Sequence, residues 1–320
     1  MKRDYSLTPE EVAEILNIKK NTVYELIKRG ELGAYRVGRK LRVEPRDVEA
    51  YKMRRRESVQ SPLPVITPHP NTPTTIADND IHPSLSSWLV LYGQDMLLDI
   101  LAHHIEDNAD GIRVYRKHAG SFSGLMALYE GRADVASCHL WDSDTDSYNI
   151  PYVRRFLPGI PTILVHAAVR MQGFYVKKGN PLGIRNWEDL AKPGLRMVNR
   201  EPGSGTRVLL DEKLRQLGIN RLEINGYNNC EKSHTAVAIA VARGVADVGL
   251  GNQKASMQVE GIEFVPLQQE RYELAIREED LNKPAVQSLL NTLNSTSFRE
   301  EIEGLGGYVL DEMGQLMARI

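Results

Sequence analysis

The stretch RMVNREPGSGTRVLLDEKLRQL, residues 196–217, reads as a short apolar strand, a glycine-rich turn and a helix. The strand is expected over 196–199 and the helix over 207–217. Gly203 and Gly205 let backbone N–H groups approach a ligand closely. The helix start behind them presents free N–H donors and the positive end of its dipole. Ser204 and Thr206 add hydroxyls, and Arg207 adds a charged fork. Together they describe a site for an anion, set against the plainer reading of a capped helix start. The turn lacks the Gly-Lys-Ser/Thr of a P-loop and the third glycine of a dinucleotide fingerprint.

The same rhythm extends on both sides. Strands are expected at 88–92, 112–115, 133–137 and 247–251, with helices at 94–107, 125–130 and 235–243. The phrases EGRADVASCHL and ARGVADVGLGN share one construction, a helix end, a glycine and a short strand. They imply an α/β domain of two similar lobes with a parallel-sheet rhythm. Lobe 1 is expected over 87–170 and 268–320, and lobe 2 over 171–267. Strand-like runs at 161–169, 173–177, 264–267 and 272–276 would carry the chain between lobes. Two crossings make a hinge that closes on a ligand.

Ligands of open α/β sheets bind at the carboxyl ends of strands. Three further groups fall there: Gly93 with Gln94, the hydroxyl-rich Ser121-Phe122-Ser123-Gly124, and His139. Asp95 is expected to cap its helix, since an anion would not favour it. A structural role for His139 is the bland alternative. The acidic run 142–146 lacks the glycine and distal glutamate of a calcium loop. No nucleophile–base pair or metal-ligand spacing is visible, so no catalytic residue, cofactor or metal is expected.

Residues 1–56 differ in character. They hold 15 Lys and Arg against 9 Asp and Glu, while the rest holds 25 against 33. A basic module on an acidic body suggests that one end meets a polyanion. Leu7-Thr8-Pro9-Glu10-Glu11-Val12 is a helix start, with a capping box between Thr8 and Glu11. A second helix is expected from about Lys19 to Arg29, ending at Gly30, with Lys20, Tyr24 and Lys28 on one face and Asn21 beside them. Two short helices about a turn at 17–18 make a helix-turn-helix. Residues 34–43 then read as a basic hairpin, or wing, with Arg36, Arg39, Lys40 and Arg42. A third helix opens at Pro45. Between the modules, residues 57–86 carry six of the chain's 16 prolines and read as a semi-extended linker.

The segments TVYELIKRGEL and RVGRKLRV resemble the excisionase-type winged helix-turn-helix family. That resemblance places the DNA-facing positions on Lys20, Asn21, Thr22, Tyr24, Lys28, Arg36, Arg39 and Arg42. The segments CHLWDSDTDSYNIPYVRRFLPG, QGFYVKKGNPLGIRNWEDLAKPGLRMVNREPGSGTR and FVPLQQERYELAIREEDL resemble the molybdate-binding family of periplasmic-binding-protein-like sensor domains. Ser204-Gly205-Thr206-Arg207 matches the hydroxyls plus arginine of related tungstate-binding proteins. Their threonine-rich first loop is replaced here by Tyr92-Gly-Gln-Asp95.

The expectation is a ligand-responsive regulator that binds double-stranded DNA, as a homodimer, and senses a small anion, with molybdate or tungstate leading. The alternatives are an organic carboxylate or sulfonate in the same architecture, a two-lobed enzyme such as a transferase, and a recombination accessory protein. Only two cysteines, no apolar run of membrane length and no signal-like N-terminus point to a cytoplasmic protein away from membranes.

Overall fold

A computed structural model describes residues 6–52, apart from 17, 29–31, 38–39, 46 and 49–50, and residues 88–320, apart from 110. The proline-rich segment 57–86 lies outside these. The chain divides into two compact units, Met1–Asn79 and Asp80–Ile320.

In the first unit, helices α1 (Pro9–Leu16) and α2 (Lys20–Lys28) precede an antiparallel pair, β1 (Tyr35–Val37) and β2 (Lys40–Arg42). The capping box forms: the Thr8 N–H donates to the Glu11 carboxylate at 2.7 Å, and the Glu11 N–H to Thr8 Oγ1 at 3.3 Å. It starts α1 at Pro9, where a missing N–H costs nothing. Val12, Val23, Leu26, Leu32, Val43 and Val48 close a core. Leu7 bridges Val43, tying the chain start to the end of the hairpin. Pro45, Asp47, Val48, Tyr51 and Lys52 are helical, where the third helix was expected.

The second unit is a two-lobed α/β body. Its elements in chain order are β3 (Trp88–Tyr92), α3 (Met96–Asn108), β4 (Arg113–Lys117), α4 (Ser121–Tyr129), β5 (Val135–Cys138), β6 (Trp141–Asp142), β7 (Ser147–Tyr148), α5 (Ile150–Phe156) and β8 (Thr162–Lys177). There follow β9 (Met197–Arg200), α6 (Gly205–Leu217), β10 (Cys230–Glu231), α7 (His234–Ala242), β11 (Val248–Asn252), α8 (Gln253–Ser256) and β12 (Ile262–Arg277). The chain ends with α9 (Pro284–Leu293), α10 (Thr296–Leu305), β13 (Tyr308–Val309) and β14 (Leu316–Arg319). One sheet runs β10-β9-β11-β8-β12-β5-β3-β4, with β13 and β14 also on β8.

Two expectations change. Each lobe crossing is one unbroken 16-residue strand, β8 or β12, where two short runs were expected. The polar residues midway interrupt the apolar pattern but not the backbone ladder, which runs on from Thr162–Arg277 to Lys177–Ile262. Pro266 sits at a bulge in that ladder, where a missing N–H is tolerated. The sheet is also mixed, because β8 and β12 run antiparallel to each other and to their neighbours β11 and β5. Antiparallel pairing of β8 and β12 carries the chain out and back across the lobe boundary.

Lobe 1 packs α3, α9 and α10 through Leu97, Leu98, Leu101, Leu289 and Phe298. Lobe 2 packs α6 through Leu210 and Leu214, and α7 through Val237 and Val241. Helix α6 also reaches lobe 1, where Val208 joins Leu125, Leu128 and Leu140. The expected glycine- and serine-rich loops prove to be first turns of helices. Helix α4 begins at Ser121, and α6 at Gly205 behind the cap Ser204. A serine side chain that accepts from the Arg207 N–H starts α6 two residues earlier than the apolar pattern suggested.

Candidate ligand cleft and nucleic-acid interface

Helices α3, α4, α6, α7 and α8 begin within a few residues of the carboxyl ends of β3, β4, β9, β10 and β11. On the lobe 1 side, Asp95 caps α3 by accepting from the Leu97 N–H at 2.8 Å. The same carboxylate accepts the Tyr308 hydroxyl at 2.7 Å and pairs with Arg170. Gly93 has no space for a side chain, since a Cβ would lie 2.2 Å from Ser137 Oγ. Gly124 packs on Ala136, Ser121 is buried with its hydroxyl facing the His139 N–H at 3.4 Å, and Ser123 is exposed.

On the lobe 2 side, Ser204 Oγ donates to the Glu201 carbonyl at 2.9 Å. Thr206 is fully buried, and its hydroxyl has no hydrogen-bond partner. Arg207 is buried. Its guanidinium faces Asp211 at 3.3 Å, donates to the Arg200 carbonyl at 3.1 Å and stacks 3.9 Å from the Tyr227 ring.

The two sides touch. The Phe122 N–H donates to the Gly203 carbonyl at 3.1 Å. A Cβ on Gly120 would fall 2.9 Å from that oxygen, and one on Gly205 would fall 2.6 Å from the His139 ring. Arg200, at the end of β9, donates to Gln94 Oε1 at 2.7 Å across the boundary. Its Nε also holds Glu201 at 2.8 Å. Gln94, Phe122, His139, Gly203 and Gly205 therefore all lie at the lobe boundary.

Sequence reasoning missed the floor of this cleft. Arg170 of β8 is buried between Asp95 and Glu270, over the Tyr272 ring at 3.9 Å. His139 Nδ1 lies 2.7 Å from the other Glu270 oxygen. Burial pushes the Glu270 carboxyl up, but the Arg170 guanidinium and His139 outweigh it and hold the group at about 2. Burial pushes the His234 imidazole well below its usual value, helped by Arg200 and Arg170. The one clear signal was Arg170, the single full charge in ILVHAAVRMQGFYV; Glu270 shares FVPLQQERYELAI with Arg271 and Glu273 and did not stand out.

Three cavities open at the boundary. One of about 680 Å³ lies between Phe122, Tyr152, Arg207, Arg221 and Tyr227. A second of about 680 Å³ has Lys117, His118 and Lys232, all exposed, around its mouth. A third of about 440 Å³ lies between Asp95, Tyr308 and the α7 start. Among the described residues no cluster could hold a metal ion, and no helix is long and apolar enough to cross a membrane.

In the first unit, Lys20, Asn21, Thr22 and Tyr24 are exposed on α2. Lys20 pairs with Glu10, and its ammonium lies 5.9 Å from the Tyr24 ring centre. Arg42 is half-buried near Glu11. Arg39 and the side chains of Lys28, Arg36 and Lys40 lie outside the described residues.

These features define a helix-turn-helix domain and a two-lobed α/β domain with the fold of substrate-binding proteins. Residues 102–294 match the PBP superfamily domain and residues 6–56 a helix-turn-helix domain, and the chain belongs to the PBP superfamily. It is 38% identical over 317 residues to the uncharacterized protein YvgK of Bacillus subtilis (strain 168), spanning 99% of both chains. A sulfate-binding protein of Synechococcus elongatus is 31% identical over 104 residues, covering 30% of this chain and 28% of that protein. The fold is shared with a putative phosphate ABC transporter substrate-binding protein with bound phosphate from Clostridium perfringens. That likeness has a TM-score of 0.51 at 14% identity, over 69% of this chain and 98% of the other.

Proposed function

We propose that this protein is a transcriptional regulator that binds operator DNA as a homodimer and senses a tetrahedral oxyanion, with molybdate or tungstate the leading ligands. The observation that carries this reading is the start of α6. There a fully buried Thr206 hydroxyl without a partner stands beside Gly205 in the first turn of a helix. First-turn N–H groups have no intrahelical acceptor, so an anion there gains amide donors, a hydroxyl and the helix dipole. The cations around the cleft mouth favour entry of an anion. The sulfate-binding relative supports the same class of ligand. Relatives named for binding support sensing over catalysis.

The test is a thermal-shift series on the full chain with molybdate, tungstate, sulfate and phosphate. A ligand at 100 times its dissociation constant adds about 2.7 kcal/mol. Failure of all four to stabilise the protein overturns the oxyanion reading. The second reading, an organic carboxylate or sulfonate, is favoured by the cavity where Arg207 and Arg221 flank the Tyr227 ring. At about 680 Å³ it is of the size that takes whole organic ligands. Aromatic carboxylates in the same series test it, and stabilisation by these alone selects it.

For the DNA-binding half, changing Lys20, Arg39 and Arg42 together to Ala removes three expected phosphate contacts. The slope of log affinity against log salt then falls by about 2.7, at roughly 0.9 per contact. An unchanged slope would move the DNA surface elsewhere.

A further inference from the structure

Helix α2 buries Val23 and Leu26 in the core of the first unit. At about 100° per residue, Asn21 and Glu25 fall on the side that points away from that core, one turn apart, while Lys20 and Thr22 fall to the flanks. Lys20 is further drawn toward α1 by its ion pair with Glu10. Asn21 and Glu25 are both exposed, and among the described residues neither side chain takes a hydrogen bond or an ion pair. The second helix of a helix-turn-helix is the one that enters the major groove. Its outward face here is led by an amide and a carboxylate, in a module with 15 Lys and Arg against 9 Asp and Glu.

A carboxylate at that place works against phosphate binding, because a polyanion repels it. It takes no part in the core and offsets no cation among the described residues. Base edges offer it a partner. Cytosine presents its N4 amino group as a donor in the major groove, where Glu accepts from it, and Asn pairs bidentately with adenine N6 and N7. We propose, resting on the DNA-binding reading, that Glu25 is a base-reading residue that selects cytosine, one or two base pairs from an adenine read by Asn21. Four residues of helix span about 6 Å, and base pairs rise about 3.4 Å. The selectivity has two sides. Opposite cytosine the carboxylate accepts a charge-assisted hydrogen bond. Opposite the acceptors of guanine or thymine it meets only lone pairs, so a wrong sequence is penalised as well as the right one favoured.

The experiment uses the full chain as wild type, Glu25→Ala, Glu25→Gln and Asn21→Ala, each selecting sites from a pool of random DNA duplexes at fixed salt. The wild type enriches a motif that contains a fixed C·G pair. Glu25→Ala keeps the rest of the motif and loses the preference at that pair alone, binding the wild-type site about tenfold more weakly. Its affinity for unrelated duplex is equal or higher, because a repelling charge is gone. Glu25→Gln moves the preference at that pair toward adenine, which its amide can pair bidentately. Asn21→Ala loses a different pair, within two base pairs of the first. A carboxylate that acts only by repulsion is relieved alike by Ala and by Gln, so one unchanged motif in wild type and both Glu25 variants overturns the proposal. So does loss of the whole motif in Glu25→Ala, which makes Glu25 a support of the helix and not a reader of one base. A wild type that enriches no motif fails the DNA-binding reading itself, and the proposal with it.

Discussion

On the cleft floor Arg170 is held between Asp95 and Glu270, whereas at the α6 start the Thr206 hydroxyl meets nothing. Both groups are fully buried. The floor is a charge network in which each carboxylate has at least two partners, Leu97, Tyr308 and Arg170 for Asp95, and Arg170 and His139 for Glu270, although Arg170 Nε has no hydrogen-bond partner. Such a network resists change, because removing one member strands a buried charge. At the helix start the Arg207 N–H is capped by Ser204 while the Thr206 hydroxyl has no partner, and under the proposed function an incoming anion would supply one.

The largest effect is expected on the floor. Arg170→Met leaves Asp95 and Glu270 buried without their shared cation, which costs about 3–5 kcal/mol. Urea unfolding of the full chain, read on the sensor transition, measures it. A loss under about 1 kcal/mol would mean that water reaches the floor.

The opposite response is expected at the helix start. Thr206→Val keeps the shape and removes the orphaned hydroxyl, so the unliganded protein holds or gains stability. The affinity for the stabilising oxyanion falls about ten- to hundredfold, the weight of a hydrogen bond to a charged group, roughly 1.5–3 kcal/mol. Equal destabilisation of the free and bound forms would erase the contrast between the two regions.

Acid should separate the two regions more gently. His234 at the α7 start is neutral when folded, because burial and the nearby Arg200 and Arg170 push its imidazole well below the usual value. The unfolded chain protonates this ring below about pH 6.5, so stability falls as pH drops through that value, by up to about 1.4 kcal/mol per pH unit. Glu270 works in a lower window. Its folded value of about 2 adds stability above the unfolded carboxylate value, and that stability is lost as pH falls from about 4.3 toward 2. Unfolding curves at pH 7, 6 and 5 should therefore descend in the wild type. They should flatten in His234→Asn, whose side-chain oxygen can still accept from the Asn252 N–H. An equally steep descent in the variant would assign the acid response to another group.

The contrast also explains what the sequence could disclose. Thr8 and Glu11 lie three residues apart, and Ser204 caps an amide three residues on. Such local signals placed both helix starts and the first unit's elements within a few residues. The floor is built from Asp95, Arg170 and Glu270, the first two 75 positions apart, and no periodicity announces their meeting. Polar residues midway, Arg170 and Gln172 in β8 and Gln268 to Arg271 in β12, made each hinge crossing read as two short strands, since the run of apolar residues was the guide. A backbone ladder needs no apolar side chain, and the charges it carries inward are neutralised by partners from distant loops.

The central claim is that an anion held in this cleft changes how the helix-turn-helix holds DNA. The most direct test titrates the full chain with molybdate at fixed salt, with and without a DNA fragment selected by the protein itself. Linkage requires that the ligand shift DNA affinity by the same factor by which DNA shifts ligand affinity. Coupled sites give two different molybdate affinities, separated by about 5- to 150-fold, a coupling of about 1–3 kcal/mol. Identical affinities in the two titrations would contradict it, leaving a DNA-binding domain joined to a passive binding domain.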